Sequence, residues 1–155
     1  MSADLRARIV AEARRWIGTP YHHQASLRGV GCDCLGLVRG VWRGCVGAEP
    51  EAPGPYSPDW AEALRVESLA LAAGRHLTPV ALDAWQAGDV LLFRWRAHVP
   101  AKHLAVAASG GAMIHAHDGA CVAEVAVTDW WLRHLAFAFA FPGCSPSPVY
   151  GRGLG

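Results

Sequence analysis

No stretch of this sequence approaches the ~18 continuous apolar residues that a membrane span requires, and the AFAFAF run near the C-terminus is too short. Charge of one sign is lacking too: 14 Lys+Arg against 13 Asp+Glu give a formal net charge of +1. That balance excludes the basic stripe expected of a nucleic-acid binder and the like-charge run of a tail or membrane-surface patch. The N-terminal MSADLRARIVAEARRW lacks the basic, apolar and small-residue succession of a signal peptide. Synthesis in the cytoplasm is therefore expected, with any work outside it requiring carriage by something else. Cysteines number five, which is odd, and without a secretion signal no disulfide framework is expected. The C-x-x-C pair of a thioredoxin-like site is absent. What is abundant is apolar material: 52% hydrophobic against 17% charged residues over 155 positions, enough for one packed domain and inconsistent with disorder.

Ser2 can cap a first helix with Asp4 in its first turn. There Leu5, Ile9, Val10, Ala13, Trp16 and Ile17 fall on one face, and Gly18 ends it. Residues 20–33 read as a Gly-rich loop. From Cys34 the spacing Leu35, Val38, Val41/Trp42, Cys45 is helical again, with Gly36 and Gly40 inside the helix, where glycine signals a close neighbour. Residues 46–59 hold four prolines and read as loop. Asp59, with Glu62 placed for a capping box, opens a third helix to about Ala73. After the Gln86–Asp89 turn the period changes. VLLFRW, HLAVAA, AMIHAH, CVAEVAV and LAFAFAF read as strands, with a Gly110-Gly111 hairpin turn and a helical turn near Asp129–Leu132. The expectation is an α+β domain, residues 1–141, with helices packed on one face of an antiparallel meander, followed by an extended arm, 142–155.

Cys34 stands where the Gly-rich loop meets the first turn of a helix. Free N–H groups and the helix dipole there favour a thiolate, so its pKa is expected below the ~8.5 of free cysteine. A nucleophilic thiol needs a base, and the base needs an orienting group. His103 opens the HLAVAA strand and His115 ends the next, twelve residues on. Paired around the glycine turn, they are expected opposite each other; His22, His23, His76, His98, His117 and His134 lack that register. Asp33 is expected to cap the helix, and Cys32 to be a packed or loop cysteine. A zinc site from Cys32, Cys34, Cys121 and His115-x-His117 is the competing chemistry, but C-x-C fits structural zinc spacing poorly. Trp16, Trp42 and Trp85 fit core positions rather than sugar stacking, while Trp130-Trp131 could cover a cleft or a partner surface.

Several blocks carry a resemblance. Gly31-Cys32-Asp33-Cys34-Leu35-Gly36-Leu37-Val38 is similar to the D-C-S-G-L-V nucleophile motif of the NlpC-type cell-wall peptidases, a papain-like cysteine peptidase family. Ala87-Gly88-Asp89-Val90-Leu91-Leu92-Phe93 resembles its P-G-D-L-V-F-F strand, Lys102-His103-Leu104-Ala105-Val106 its H-V-G-I-Y base strand, and Met113-Ile114-His115-Ala116 its V-H-A segment. The resemblance spans roughly residues 5 to 141. It implies a papain-like fold, a nucleophilic Cys34, a general base His103, an orienting His115, and Tyr21 as an oxyanion donor, with Asp33 beside the substrate site. No metal or cofactor is implied. The implied substrate is the peptidoglycan stem peptide, commonly at the bond between D-glutamate and the diamino acid. TPYHHQAS and GVGCDCLGLVRGVWR also resemble the branch found with bacteriophage and gene-transfer-agent tail genes. That branch implies tail-tip or baseplate partners and delivery by a particle to the periplasm and cell wall. Leu35 stands where the family has a serine that helps bind the substrate amine, and His22-His23-Gln24 replaces its W-G-G. The rivals are a structural tail-tip component with the site held inactive, and a papain-like acyltransferase or amidase.

Overall fold

The computed structural model describes residues 2–51, 53 and 67–145. Two helices organise its N-terminal half, α1 (Ser2–Arg14) and α2 (Cys34–Cys45). Their apolar spacing buries Ile9, Val10 and Ala13 from the first and Leu37, Val38 and Val41 from the second, with Trp16 buried just beyond α1. Packing is tightest at the glycines of α2. A β-carbon at Gly40 would fall 2.0 Å from the Trp16 indole, and one at Gly36 would fall 1.9 Å from the Ala25 carbonyl oxygen. The ~1 kcal/mol that a glycine costs a helix is offset by these close approaches. The helix differs from expectation at two points. Ile17 is 46% exposed, because α1 stops at Arg14 and helical spacing no longer orients it. Ser2 lies within the helix, and its hydroxyl accepts a hydrogen bond from the Ser145 N–H at 2.9 Å.

Residues 20–33 are not all loop: β1 (Ser26–Leu27) and β2 (Gly31–Cys32) form a short antiparallel hairpin. A third helix, α3 (Ser68–His76), overlaps the one expected from Asp59 and runs on past Ala73. The expected cap at Asp59 and Glu62 lies outside the described residues.

The sheet contains β3 (Thr78–Val80), β4 (Val90–Phe93), β5 (His103–Ala108), β6 (Ala112–His115), β7 (Ala123–Ala126) and β8 (Leu135–Ala140), in the order β3-β8-β4-β5-β6-β7. Its described pairings are antiparallel. β4 to β7 form the meander. After a short helix, α4 (Asp129–His134), β8 returns to the free side of β4, and β3 pairs with β8 at the edge. β3 carries no alternating pattern that sequence reading could use, and its Pro79 suits an edge strand. Phe93, Leu91, Leu92, Met113 and Ile114 are fully buried in the core.

A buried ion pair ties the N-terminus to the start of β4. Arg6 Nη1 donates to Asp89 Oδ1 at 2.7 Å and to the Ala87 carbonyl at 3.1 Å, while Nη2 donates to the Ser145 carbonyl at 2.7 Å. The first residues of the expected arm are thus folded back onto α1, with Cys144 buried; residues 146–155 lie outside the described residues.

Candidate active site

Cys34 is the first residue of α2, and Asp33 is its N-cap. Asp33 Oδ1 accepts from the Gly36 N–H at 2.7 Å and Oδ2 from the Gln24 N–H at 2.8 Å, with His23 Nδ1 at 3.9 Å. Both carboxylate oxygens are therefore engaged with backbone amides, in the capping role read from the sequence. The second bond holds Gln24, at φ +65°, over the helix start. The absence of a β-carbon at Gly36 lets the Ala25 carbonyl close in beside it.

The Cys34 thiol rests against the beginning of β5, donating to the Lys102 carbonyl at 3.6 Å. Burial pushes the thiol up to about 11, and the Asp33 charge adds to this. The amides of Leu104, Leu35 and Cys34 itself pull the other way. This corrects the expectation of a lowered pKa: the helix N-terminus is present, but desolvation of the thiolate outweighs it. Two of the residues whose backbone meets the sulfur, Lys102 and Leu104, bracket His103 in the chain.

His103 and His115 are both buried, and Nε2 of the first lies 2.9 Å from Nδ1 of the second. They are not directly opposite, as expected from the glycine turn. The turn is a three-residue 3₁₀ segment, Ser109–Gly111, and the register pairs Ala108 with Ala112 and Val106 with Ile114. Counting on, His115 falls opposite Ala105, and His103 is its diagonal neighbour on the same face. Diagonal pairs remain within reach of long side chains. Burial drives both imidazoles toward the neutral form, with His117 adding to the effect on each and His115 on His103. His103 sits well below the usual histidine range and His115 at about 4.

Sequence reading left Trp130-Trp131 open between a cleft and a partner surface and did not single out Trp95; the structure brings Trp131 and Trp95 together in an aromatic wall around this pair. Trp95 stacks on His103 at 5.1 Å between ring centroids and Trp131 at 5.6 Å; Trp131 meets His115 edge-on at 5.4 Å. His117, exposed, lies 5.6 Å from His103 and 5.8 Å from His115. The same register count places residue 117 opposite 103, which a three-residue turn would have revealed.

Tyr21 is half-buried and bridges to Cys32 in the β1–β2 region. Burial raises its phenol to about 12, with the nearby Cys34, Asp33, Asp118 and Cys32 charges adding. Cys32 is fully buried, and desolvation with Asp33 and Cys34 beside it raises its thiol to about 12, the packed role read from the sequence. Among the described residues no group of three or more His, Cys, Asp or Glu is arranged to hold a metal ion. Leu35, half-buried, lines an apolar cavity of about 150 Å³ with Val38, Trp42, Leu69 and Leu104.

A family model described as the NlpC/P60 family matches residues 18–139. No curated protein matches the chain. Among solved structures, the NlpC/p60 domain of the peptidoglycan hydrolase SagA aligns at TM-score 0.60 and 28% identity, over 88% of this chain and 98% of that one. An NlpC/P60 family protein from Bacillus cereus ATCC 10987 aligns at TM-score 0.62 and 19% identity, over 88% of this chain and 40% of its own. A Staphylococcus aureus protein of the NLP/P60 family, described as similar to lipoprotein, aligns at TM-score 0.62 and 22% identity, over 91% of this chain and 42% of its own. The chain thus spans less than half the length of the latter two, and its likeness to them is one of fold: helices first, then an antiparallel sheet.

Proposed function

The chain belongs to the NlpC/P60 family, and on that premise we propose that it is a papain-like cysteine peptidase that hydrolyses amide bonds in peptidoglycan stem peptides. The observation that carries this reading is the placement of three groups. A thiol at a capped helix N-terminus lies against the backbone on both sides of His103, and the His103 ring is hydrogen-bonded to His115. The solved peptidoglycan hydrolase domain with the same fold supports the substrate class.

Burial drives both the thiol and the imidazole toward their neutral forms, which favours general-base catalysis over a preformed ion pair as the start of the chemistry. For His103 Nδ1 to serve as the basic nitrogen, the ring proton sits on Nε2 and is donated to His115 Nδ1, a tautomer that the 2.9 Å contact between these two nitrogens accommodates. As the sulfur attacks the amide carbonyl carbon, its proton passes to His103, the S–C bond forms, and the carbonyl electron pair moves onto oxygen. The Cys34 N–H and the Tyr21 hydroxyl receive that oxyanion; such donors contribute ~3 kcal/mol each. The imidazolium then protonates the leaving nitrogen as the C–N bond breaks. Water, deprotonated by His103, releases the acyl group and restores the thiol.

The finer reading is cleavage between D-glutamate and the diamino acid by an enzyme carried on a phage-like tail, docked to tail-tip or baseplate proteins and delivered to the cell wall. It rests on the motif resemblance of TPYHHQAS and GVGCDCLGLVRGVWR. Mass spectrometry of stem peptides incubated with the protein, with and without a thiol alkylator, tests the chemistry and locates the bond. Unchanged cleavage by a Cys34→Ala variant would remove the peptidase reading. Particles that assemble with Cys34→Ala and open walls as well as wild type would leave only a structural tail role.

A further inference from the structure

The hydrogen bond from His103 to His115 fixes one atom of the imidazole, but a ring needs a surface to fix its plane. The sp²-terminated χ2 torsion of histidine is broad, so Nδ1 can rock away from the sulfur while Nε2 keeps its partner. Trp131 supplies such a surface. It touches both rings of the pair, lying near parallel to His103 at 24° and near perpendicular to His115 at 85°. Trp95 also stacks on His103, at 30°. The two indole centroids are only 5.9 Å apart, while each is 5.1 or 5.6 Å from the imidazole. The three centroids form a nearly equilateral triangle, so the two indoles meet each other where they meet the imidazole.

The wall is itself braced. Phe93 and Trp130 each meet Trp131 edge-on at 4.9 Å. The segment carrying Trp95 is tied down through Arg94, which donates to the Val99 carbonyl at 2.7 Å and pairs with Glu67, and through the Ala101 N–H, which donates to Glu67 at 3.0 Å. Trp131 comes from α4 and Trp95 from beyond β4, so two distant parts of the chain converge on one imidazole. The titratable groups against the His103 ring are His115 from β6 and His117 beyond it, while the Cys34 thiol of α2 meets the backbone carbonyl of the preceding Lys102. β4, the segment after it and α4 present only aromatic rings: Phe93, Trp95 and Trp131.

We propose that Trp131, seconded by Trp95, is a positioning residue: its indole face sets the plane of the His103 ring and keeps water from the His103–His115 hydrogen bond. This role rests on the peptidase reading for its consequence in turnover. Because this role acts through His103 and not on substrate, the loss of Trp131 should lower kcat rather than raise KM.

The test compares Trp131→Leu, Trp131→Phe and Trp95→Leu in the full chain, with a purified stem peptide as substrate. Trp131→Leu is expected to lose roughly 30- to 100-fold in kcat with KM within about twofold, the scale of a misplaced general base. The acid limb of its kcat/KM profile should move up in pH, as water reaches the imidazole. Trp131→Phe, which keeps an aromatic face, should stay within roughly threefold of wild type, and Trp95→Leu should lose roughly tenfold. NMR titration of the His103 ring needs no substrate, and should show a higher pKa in Trp131→Leu and Trp95→Leu. It therefore separates failure of this role from failure of the peptidase reading, which shows as an inactive wild type. Unchanged kcat and titration with only a lower melting temperature would reduce Trp131 to core packing. A raised KM at constant kcat would make it a substrate contact, and equal losses in the Phe and Leu variants would exclude the plane-setting role. Should Trp131→Leu not fold, Trp95→Leu decides: no change in its kcat or titration overturns the proposal.

Discussion

Nε2 of His103 and Nδ1 of His115 meet at 2.9 Å although the two residues sit on the diagonal of the β5–β6 ladder, not across from each other. The diagonal makes the contact depend on both rings leaning toward one another, and an amide can take the place of the second ring only in part. His103→Ala should lose roughly 10³-fold in kcat, within the range for removing a general base. His115→Ala should lose less, and His115→Asn should recover part of that loss by offering an acceptor to His103. Stem-peptide kinetics check this; equal rates for His115→Ala and wild type would deny His115 any orienting role.

The raised Cys34 thiol gives a second prediction. A thiolate–imidazolium pair would alkylate at a constant rate across neutral pH. A neutral thiol near 11 instead gives a thiolate fraction rising roughly tenfold per pH unit. Alkylation of Cys34 by iodoacetamide, followed on its own peptide by mass spectrometry, should therefore climb steadily from about pH 7 to pH 10. A plateau between about pH 5 and pH 8 would mean that the ion pair is already formed in the free enzyme.

Stability should also depend on pH through the buried pair. The His115 pKa is lowered by burial, with His117 adding, from 6.5 to about 4 in the folded state, and that of His103 is lowered in the same direction, with His115 and His117 adding to burial. Between those values the unfolded chain binds protons that the folded chain does not, so stability falls as pH drops from about 6.5 toward 4 and is fully present above 6.5. His115 alone accounts for about 3 kcal/mol of loss across that window. Urea unfolding at pH 7 and pH 4.5 measures it. The dependence should shrink in His115→Asn; an unchanged dependence in that variant would place the titration elsewhere.

Far from the site, Asp89 is fully buried against Arg6. Asp89→Ala should cost about 3 kcal/mol, the lower end for breaking a buried pair, because Arg6 keeps the carbonyls of Ala87 and Ser145. A loss under about 1 kcal/mol in urea unfolding would show the pair to be replaceable.

Much of this was legible in the sequence because it is local. Apolar periods announced α1, α2 and the meander, and the glycines at 36 and 40 announced close neighbours before those neighbours, Ala25 and Trp16, could be named. Loop-to-helix chemistry placed Cys34 and its Asp33 cap. What escaped depends on three dimensions. The β5–β6 ladder is centred on Gly110 rather than Ser109, and that displacement of one residue hands the place opposite His103 from His115 to His117. The sign of the Cys34 shift is decided by how deeply α2 sinks against β5, which periodicity does not report. Trp95 and Trp131 converge from separate elements, with no shared spacing to betray them. β3 is three residues long and acquires its strand character from β8 beside it.

Asp33 shows how a cap can be tested for more than capping. An ordinary N-cap uses one side-chain oxygen, and asparagine serves there as well as aspartate. Asp33 uses two, holding Gly36 of the helix with one and Gln24 of the overlying loop with the other. In Asp33→Asn the Gly36 bond survives, but the side-chain NH₂ then faces the Gln24 N–H, donor against donor. Asp33→Ala should cost about 2 kcal/mol, from the lost cap and an orphaned amide, and Asp33→Asn should cost about half of that or more. Both should slow cleavage, because Gln24 sits at φ +65° and loses the bond that ties it to the residue before Cys34. If Asp33→Asn matches wild type in both melting and kcat, the residue is a simple cap and the loop over the nucleophile is held by something else.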